Sequence, residues 1–430
     1  MASTIRLDLL DRFRAGLSQA EAAAVEAATR AAGEAGAALF LVGGPVRDLL
    51  LGRRASDIDL AVEGDLDVLT ARLEAATGLR LVRHGRFATS TLRGEGFRID
   101  LARTRRERYP RPGALPEVEA ASVLEDLARR DFSVNAMALR LTQPAGELLD
   151  PHGGVADTGR RLVRVLHDRS FQDDATRMLR ACRYAARLGF DIEPGTAALI
   201  RRDLRFLDNV SGARLRRELT LAFKEPSAVD AIARARDLGI LAAIHPLLAP
   251  EPSVFPAWRQ AIAAEHLAPV EELGICLVSR CRDAGDVRVL SERLHLTGRL
   301  ERVLADLVRL QEMSDKLEQP DLAIPEAVEA LDGFLPAAIW AFALETGGAA
   351  GERCLRYLRH WRRVRPALNG HDLEAMGVPR GPALGALLRD LRVARLTGEA
   401  RSRADELELV RRKLPLTAPG TESRGKRQDR

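Results

Sequence analysis

Strand-forming segments are confined to the first third of this chain, and this division constrains its fold more than any other feature. Short apolar or alternating runs stand at residues 37–42, 57–62, 81–82, 88–92 and 97–101. Beyond Asp150 the segments repeat with helical spacing, punctuated by glycine and proline. The sequence therefore predicts an α+β protein, in which a small mixed β-sheet with helices is followed by an all-α remainder.

The length of 430 residues predicts several domains. No run approaches the ~20 continuous apolar residues of a membrane helix, and the charged N-terminus is unlike a secretory signal. We therefore expect a cytoplasmic protein with no membrane partner. The four cysteines, whose spacing fits neither a zinc site nor a disulfide framework, are expected to be reduced core residues. They are Cys182, Cys276, Cys281 and Cys354.

The net charge of +5 is carried mostly by arginine. A guanidinium group pairs with phosphate through a planar fork and stacks on bases, so a polyanionic partner is one interpretation. Ordinary solvated helices in an arginine-rich protein are the other. Composition leaves both open, and the motifs must decide.

A double-glycine turn followed by paired acids is the first motif with a chemical meaning. Gly43 and Gly44 end a predicted strand and open a short helix that carries Arg47. Such a turn lets a phosphate approach backbone amides. Asp57 and Asp59 stand two apart on the next predicted strand, so both are expected on one face. Neighbouring carboxylates repel each other unless a divalent cation lies between them, and oxygen ligands suit Mg²⁺.

A second motif covers residues 125–136 and reads Glu-Asp-Leu-Ala-Arg-Arg-Asp-Phe-Ser-Val-Asn-Ala. Arg129 or Arg130 can reach a triphosphate while Asp131 and Asn135 brace the site. An amphipathic helix with an exposed basic pair is the alternative.

In a third motif, acid and arginine recur every three residues. We expect a helix over residues 173–188 that carries Asp174, Arg177, Arg180 and Arg183 near one face. A solvated arginine stripe paired with acids is the alternative interpretation.

An acid and an arginine side by side can select a base without a template. Cytosine and adenine each present an exocyclic amine beside a bare ring nitrogen, so a carboxylate can accept from the amine while a guanidinium donates to the nitrogen. Uracil and guanine present a carbonyl and a ring N–H instead, which leaves both contacts repulsive or unpaired. Asp174 and Arg177 therefore look like a protein template for C and A.

Together these motifs resemble the tRNA nucleotidyltransferase and poly(A) polymerase family of the DNA polymerase β-like nucleotidyltransferases. Ser133 stands where the family usually has Thr, and Asp173 where it usually has Glu. The resemblance is specific over residues 41–223 and architectural beyond them. The segments that carry it are LVGGPVRDLLLG at 41–52, SDIDL at 56–60, RRDFSVNA at 129–136, DPHGG at 150–154 and FQDDATRMLRACRY at 171–184.

The resemblance implies an enzyme that adds C, A or both from CTP and ATP to the 3′ end of tRNA and releases pyrophosphate. It implies Mg²⁺ on Asp57 and Asp59, which would be the catalytic pair. It implies nucleotide contacts, with Arg130 preferred over Arg129, from Gly43, Gly44, Arg47, Arg130, Asp174, Arg177, Arg180 and Arg183. Asp100 as a third acid and His84 beside the site are weaker candidates.

The resemblance also implies an N-terminal nucleotidyltransferase head followed by an all-α neck, body and tail that hold tRNA. We expect a helical extension over 1–35, the head over 36–150, the neck over 151–224, the body over 225–330, the tail over 331–418 and a disordered basic tail over 419–430.

Residues 103–117 are basic and rich in proline and glycine, and we expect a mobile loop there. Relatives that add only CC have this loop shortened, so its presence argues against a CC-only enzyme. Full CCA addition, A addition with a CC-adding partner, and poly(A) synthesis stay open. Outside the class, the alternatives are a non-catalytic RNA-binding module and, because of His371-Asp372, an HD-type hydrolase.

Overall fold

The computed structural model describes residues 2–55, 57–84, 89–108, 110, 116–263 and 269–413, without the side chains of residues 2–7 and of His84. The described strands are Ala38–Val42 (β1), Ile58–Glu63 (β2), Leu81–His84 (β3), Thr89–Gly94 (β4), Phe97–Arg103 (β5), Arg105–Arg108 (β6), Glu117–Ala120 (β7), Ala138–Arg140 (β8), Leu148–Leu149 (β9), Leu162–Val163 (β10) and Asp191–Ile192 (β11).

The α-helices are Ala2–Ala15 (α1), Gln19–Glu34 (α2), Gly44–Leu50 (α3), Leu66–Thr77 (α4), Val123–Ala128 (α5), Gly154–Arg160 (α6), Ser170–Asp173 (α7), Arg177–Leu188 (α8), Pro194–Asp203 (α9), Gly212–Phe223 (α10), Ala228–Asp237 (α11), Ile240–Ile244 (α12), Val254–Ala263 (α13), Val270–Val278 (α14), Ala284–Leu294 (α15), Gly298–Glu312 (α16), Ser314–Glu318 (α17), Ile324–Leu331 (α18), Pro336–Thr346 (α19), Gly348–Arg359 (α20), Gly370–Ala375 (α21), Pro382–Thr397 (α22) and Arg403–Lys413 (α23). Short 3₁₀ segments lie at Ser133–Asn135, Leu204–Asn209 and Trp361–Arg363.

The main sheet has the strand order β3-β4-β5-β2-β1-β8-β9. Strands β2 and β5 run parallel, whereas β1 pairs antiparallel with both β2 and β8. This is the mixed sheet that the sequence predicts, and the helical remainder after it confirms the predicted α+β class.

Strand β1 is buried on both faces of the sheet. Its successive side chains point to opposite sides, and each side packs against a core. Leu39 and Leu41 join a core that also contains Phe13 of α1 and Ala28 of α2. On the other face, Phe40 packs with Val123 and Leu127 of α5. The helices of residues 1–35 thus share a core with the sheet, and the predicted domain boundaries themselves stay a prediction.

The predicted loop over 103–117 contains regular structure. Strands β6 and β7 pair antiparallel, from Arg105 opposite Ala120 to Arg108 opposite Glu117. Their register makes them the two arms of a hairpin, and Tyr109 and residues 111–115 of the predicted loop lie outside the described residues. The alternation of charged and apolar side chains in Glu117–Ala120 was the available signal, which the proline and glycine content obscured.

The chain divides into two compact units: Met1–Glu265 with Val278–Cys281 and Gly285–Glu301, and His266–Leu277 with Arg282–Ala284 and Arg302–Arg430. The first contains the sheet. The second has a small apolar core around Leu373 and Leu391. Beside that core the buried Glu406 accepts hydrogen bonds from the Ala367 and Leu368 amides and pairs with Arg395.

No helix in the described ranges is both long and apolar enough to cross a bilayer. All four cysteines are buried, as the sequence predicts. Burial raises the pKa of the Cys182 and Cys354 thiols to about 12, so both stay neutral core side chains at physiological pH.

Candidate active site

A cavity of about 880 Å³ in the first unit brings the two predicted residue pairs together. Asp57 and Asp59 line it near the start of β2, and Asp174 and Arg177 line it near the start of α8. Its size falls within the ~300–1,000 Å³ of small-molecule sites. Both pairs therefore line one cavity that is large enough for a small molecule.

The acid pair lies at the edge of β2. Asp57 immediately precedes the strand and Asp59 is its second residue, both exposed to solvent. Ile58 and Leu60 are buried in the sheet core, so Asp59 points to the opposite face. Asp100 is the parallel neighbour of Asp59 on β5, on the same face.

Asp100 has protein partners of its own. Its carboxylate accepts a hydrogen bond from Thr91 at 2.6 Å and pairs with Arg98 at 2.8 Å. It is outside the set of residues that line the cavity. Its negative charge nevertheless acts on Asp59, so Asp100 contributes to the field at the acid pair.

Negative charge gathers at this edge of β2, and a bound cation would lower the repulsion between the carboxylates. Partial desolvation by the cavity walls, with the charges of Asp100 and Asp57, raises the pKa of Asp59 to about 6, although its side chain stays open to solvent. Arg130 and Arg98 act in the opposite direction. Among the described residues no group of three or more potential metal ligands gathers. Two carboxylates with substrate phosphates and water are nevertheless a usual set for Mg²⁺.

The turn between β1 and α3 favours glycine at its first position. Gly43 has φ +76°, a left-handed conformation that disfavours side chains. A Cβ atom on Gly43 would lie 2.7 Å from Nη1 of Arg130. The close approach of backbone and guanidinium therefore places two groups suited to phosphate beside each other at the cavity wall.

Arg47 lies beneath this turn and only 2% of it is exposed. Its Nη1 donates to Oδ1 of Asn135 at 2.6 Å, and its Nε and Nη2 donate to Asp48 at 3.0 and 2.8 Å. The sequence predicts a triphosphate contact for Arg47. Arg47 lines the cavity and also ties α3 to the Ser133–Asn135 turn, and its contact with a triphosphate stays a prediction.

One carboxylate holds both arginines of the second motif. Asp126 on α5 pairs with Arg129 at 2.7 Å and with Arg130 at 3.1 Å. Arg129 also pairs with Glu107 of the β6–β7 hairpin at 2.9 Å. Burial by itself would raise the pKa of Asp126, but Arg130 and Arg129 outweigh it, so that pKa lies below its usual range. Asp126 stays charged and fixes the direction of both guanidinium groups.

Asp131 joins the second motif to the third. Its carboxylate accepts two hydrogen bonds from Arg180 of α8, at 2.7 and 3.1 Å, and one from the Asn135 amide at 3.1 Å. Burial would raise the pKa of Asp131, but the Arg180 charge and the Asn135 hydrogen bond lower it below its usual range. Asp131 and Asn135 thus brace the site, as the sequence predicts.

The expected continuous helix over 173–188 is interrupted. Helix α7 ends at Asp173, Asp174 is extended with φ −145° and ψ 100°, and α8 begins at Arg177. Asp174 therefore does not share a helix face with the arginines. Its Oδ1 accepts from the backbone N–H and the hydroxyl of Thr176, at 2.9 and 2.7 Å, a local contact that competes with helix formation.

Arg177 is held in place by neighbouring groups. It is 5% exposed, donates through Nη1 to the Ser170 hydroxyl at 2.7 Å, and donates through Nη2 to the Arg129 carbonyl at 2.7 Å. Both it and Asp174 line the cavity. Five N–H donors give the guanidinium capacity for these contacts and for a base.

Arg180 and Arg183 have different positions. Arg180 lines the cavity. Arg183 is outside the lining and pairs with Glu218 and Glu225, at 3.5 and 3.3 Å. Both stack on Tyr184, whose ring also lines the cavity. Arg183 thus supports the ring and α10, and the structure gives it no contact with the cavity.

Among the weaker candidates, the side chain of His84 lies outside the described residues. Asp372 of the His371-Asp372 pair forms a capping box with Asn369 at the start of α21 and pairs with Arg403 at 2.7 Å. The Asp372 carboxylate therefore caps the start of helix α21.

Several cavity residues are absent from the sequence predictions: Arg53, Arg54, Tyr184, Arg187, Arg214, Arg217 and Glu218. Three of them come from α10, more than 30 residues after Asp174 in the chain. Their charge on a helix of marked periodicity was a signal, but spacing alone does not tell which helix packs beside the third motif.

Two family models, and relatives over most of their length, match this chain. Residues 39–164 match the model of the poly A polymerase head domain, and residues 189–251 match the probable RNA and SrmB-binding site of polymerase A. The CC-adding tRNA nucleotidyltransferase of Deinococcus radiodurans is 36% identical over 89% of this chain and 91% of its own length. This chain belongs to the tRNA nucleotidyltransferase and poly(A) polymerase family. The predicted family and enzyme class are thereby confirmed.

A-adding tRNA nucleotidyltransferases are also similar to this family member. That of Geobacter sulfurreducens is 33% identical, and the match covers 86% of this chain but 44% of that protein. That of Halalkalibacterium halodurans is 32% identical over 87% of this chain and 88% of its own length. The Thermotoga maritima CCA-adding enzyme complexed with tRNA has a TM-score of 0.77 at 25% identity and covers 94% of this chain and 98% of its own.

Proposed function

We propose that this enzyme adds A, alone or after two C residues, to the 3′ end of tRNA from nucleoside triphosphates in the cytoplasm. The observation that carries the proposal is the single cavity lined by both Asp57 with Asp59 and Asp174 with Arg177. The first pair suits a metal ion, and the second suits the edge shared by cytosine and adenine. Relatives that add A and a relative solved with tRNA support the substrate.

Asp57 and Asp59 would hold Mg²⁺, because their oxygen atoms suit this ion and their mutual repulsion favours a cation. When bound, Mg²⁺ supplies activation of the attacking 3′-hydroxyl and neutralisation of charge on the triphosphate. Arg130, beside the Gly43 amide, contacts the phosphates. The hydroxyl attacks the α-phosphorus in line, and pyrophosphate leaves.

Base selection falls to Asp174 and Arg177. The Asp174 carboxylate accepts from the exocyclic amine of C or A, and Arg177 donates to the adjacent ring nitrogen. The Arg177 guanidinium is fixed by Ser170 and Arg129, so it cannot turn away when a base with the wrong pattern enters. A mismatched base leaves desolvated polar groups unpaired, which costs ~1–3 kcal/mol for each group.

The β6–β7 hairpin supports A addition over CC addition. The resemblance connects the loop at this place with the switch from C to A, and Glu107 of the hairpin both lines the cavity and holds Arg129. The likeness to the Deinococcus radiodurans enzyme makes CC addition the second candidate.

The test uses tRNA lacking its last one, two or three nucleotides, with CTP and ATP supplied separately and together, and reads the product ends. Extension of only the substrate that ends in CC identifies an A-adding enzyme, and completion of all three identifies CCA addition. Products that stop at CC establish the second candidate, and long A tracts on any RNA establish poly(A) synthesis. Absence of incorporation from all substrates, with tRNA binding intact, contradicts the proposal.

A further inference from the structure

Protein groups hold both oxygens of the Asp174 carboxylate. Thr176 donates twice to Oδ1, and Arg214 of α10 donates through Nη2 to Oδ2 at 2.9 Å. The Asp174 side chain is 19% exposed and that of Arg214 31% exposed, and both line the cavity. Since Oδ1 has its two donors, the remaining acceptor capacity for a base amine is on Oδ2, next to the Arg214 contact.

Arg214 reaches Asp174 from a helix that is fixed at its start. A Cβ atom on Gly212 would lie 2.3 Å from the carbonyl oxygen of Arg293 on α15, so the two backbones are in direct contact. The position of the Arg214 guanidinium is therefore set by the packing of α10.

Asp174 needs such a partner because of its backbone. It lies in the break between α7 and α8, where no helix restricts its side chain. Thr176 fixes one oxygen, but rotation about the last torsion is stopped only when the second oxygen is held too. A carboxylate that turns can lose the amine of a correct base or tolerate a base without one.

We propose that Arg214 is a positioning residue that sets base selection by holding Oδ2 of Asp174 toward the incoming base. This inference rests on the proposed function and adds to it a specificity-determining contact from α10. Arg214 does not touch the reacting atoms. Its removal should weaken the preference for C and A over U and G, while the step at the α-phosphorus is affected far less.

The experiment compares Arg214→Ala, Arg214→Lys and Arg216→Ala. Arg216→Ala is the matched control, since it removes a guanidinium of the same helix whose partner is a carbonyl outside the cavity. For each variant, kcat and KM are measured with CTP, ATP, UTP and GTP on a tRNA that the wild type extends. Thermal melting establishes that each variant is folded.

For Arg214→Ala we expect the ratio of kcat/KM for the preferred base over UTP to fall about tenfold, mostly through KM, as loss of one charge-assisted hydrogen bond allows. Arg214→Lys should restore most of the ratio, since a single N–H donor makes the observed contact. Arg216→Ala should keep the wild-type ratio.

A uniform loss with all four nucleotides and an unchanged ratio would overturn the inference, because it would make Arg214 a phosphate or RNA contact. If Arg214→Ala does not fold, Arg214→Met decides, because methionine keeps an unbranched apolar stem but has no donor: a ratio below that of the wild type supports the inference, and an unchanged ratio overturns it. Failure of the proposed function looks different, since the wild type itself would then incorporate nothing or show no base preference.

Discussion

The two edges of the cavity use carboxylates in opposite ways. At the β2 edge, desolvation and the acids Asp57 and Asp100 push the pKa of Asp59 up to about 6. At the α8 edge, Asp131 is buried against Arg180 and Asn135, and its pKa lies below the usual range. Neighbouring carboxylates that repel each other favour the binding of a cation. Carboxylates that are paired with arginine and amide groups instead keep the surrounding side chains in place.

The largest effect is expected at the edge of like charge. Asp57→Ala should lower incorporation by about a thousandfold, or ~4 kcal/mol of transition-state stabilisation, because one of the two proposed metal ligands is lost. Binding of tRNA, measured by gel shift, should stay near the wild-type value. Appreciable turnover by the variant would refute the metal assignment and with it this half of the comparison.

At the α8 edge, the expected effect of a substitution is on the free energy of unfolding. Asp131→Ala leaves the partly exposed Arg180 with only the longer Glu218 contact at 3.7 Å and should destabilise the protein by ~2 kcal/mol, measured by denaturant unfolding. The depressed pKa fixes the pH dependence: the contribution of Asp131 is present above its unfolded pKa of ~3.9 and is lost as pH falls through the lower folded value. The stability gap between wild type and variant should thus be constant from pH 6 to 8 and shrink in acid. A gap that widens in acid would contradict this account.

The glycine turn between the two edges should show a mixed effect. Gly43→Ala places a methyl group against Arg130 and strains a left-handed backbone, at a cost of ~1–2 kcal/mol. Displacement of Arg130 should also raise KM for the nucleotide, as steady-state kinetics would show. Gly33→Ala is the control, since a Cβ there meets nothing within 4 Å. Equal behaviour of the two variants would show that the close approach is unimportant.

The smallest effect is expected in the second unit. Asp372→Ala removes a helix-capping contact and should cost ~1 kcal/mol of stability. Incorporation of nucleotides should stay within about twofold of wild type, since large effects need a named site mechanism. A metal-dependent phosphatase activity that this variant loses would revive the hydrolase alternative.

Local motifs predicted the β2 edge well because its geometry depends on strand periodicity. Asp57, Asp59 and the Gly43 turn are close in sequence, and their spacing carries their arrangement. The hydrogen bond between Arg47 and Asn135 could not be predicted, because Asn135 lies 88 positions away in the chain and no spacing reports that contact. The same is true of Arg214, which is 40 positions from Asp174.

The break at Asp174 had a local signal that the three-residue periodicity outweighed. Asp-x-Thr before an amphipathic helical segment is typical of a helix start, because both side chains can bond to nearby backbone. This signal predicts Asp174 ahead of α8 and Arg177 as the first residue of α8, as the structure has them.

The attachment of Arg129 and Arg130 to Asp126 has a consequence for how this enzyme can change over time. A single anion aligns two cations, one of which also lends its carbonyl oxygen to Arg177. Substitution at position 126 would disturb the proposed phosphate contacts and the proposed base selection in one step. Substitutions that change nucleotide preference during evolution are therefore expected first at residues that contact one partner, and later at Asp126, which holds two arginines.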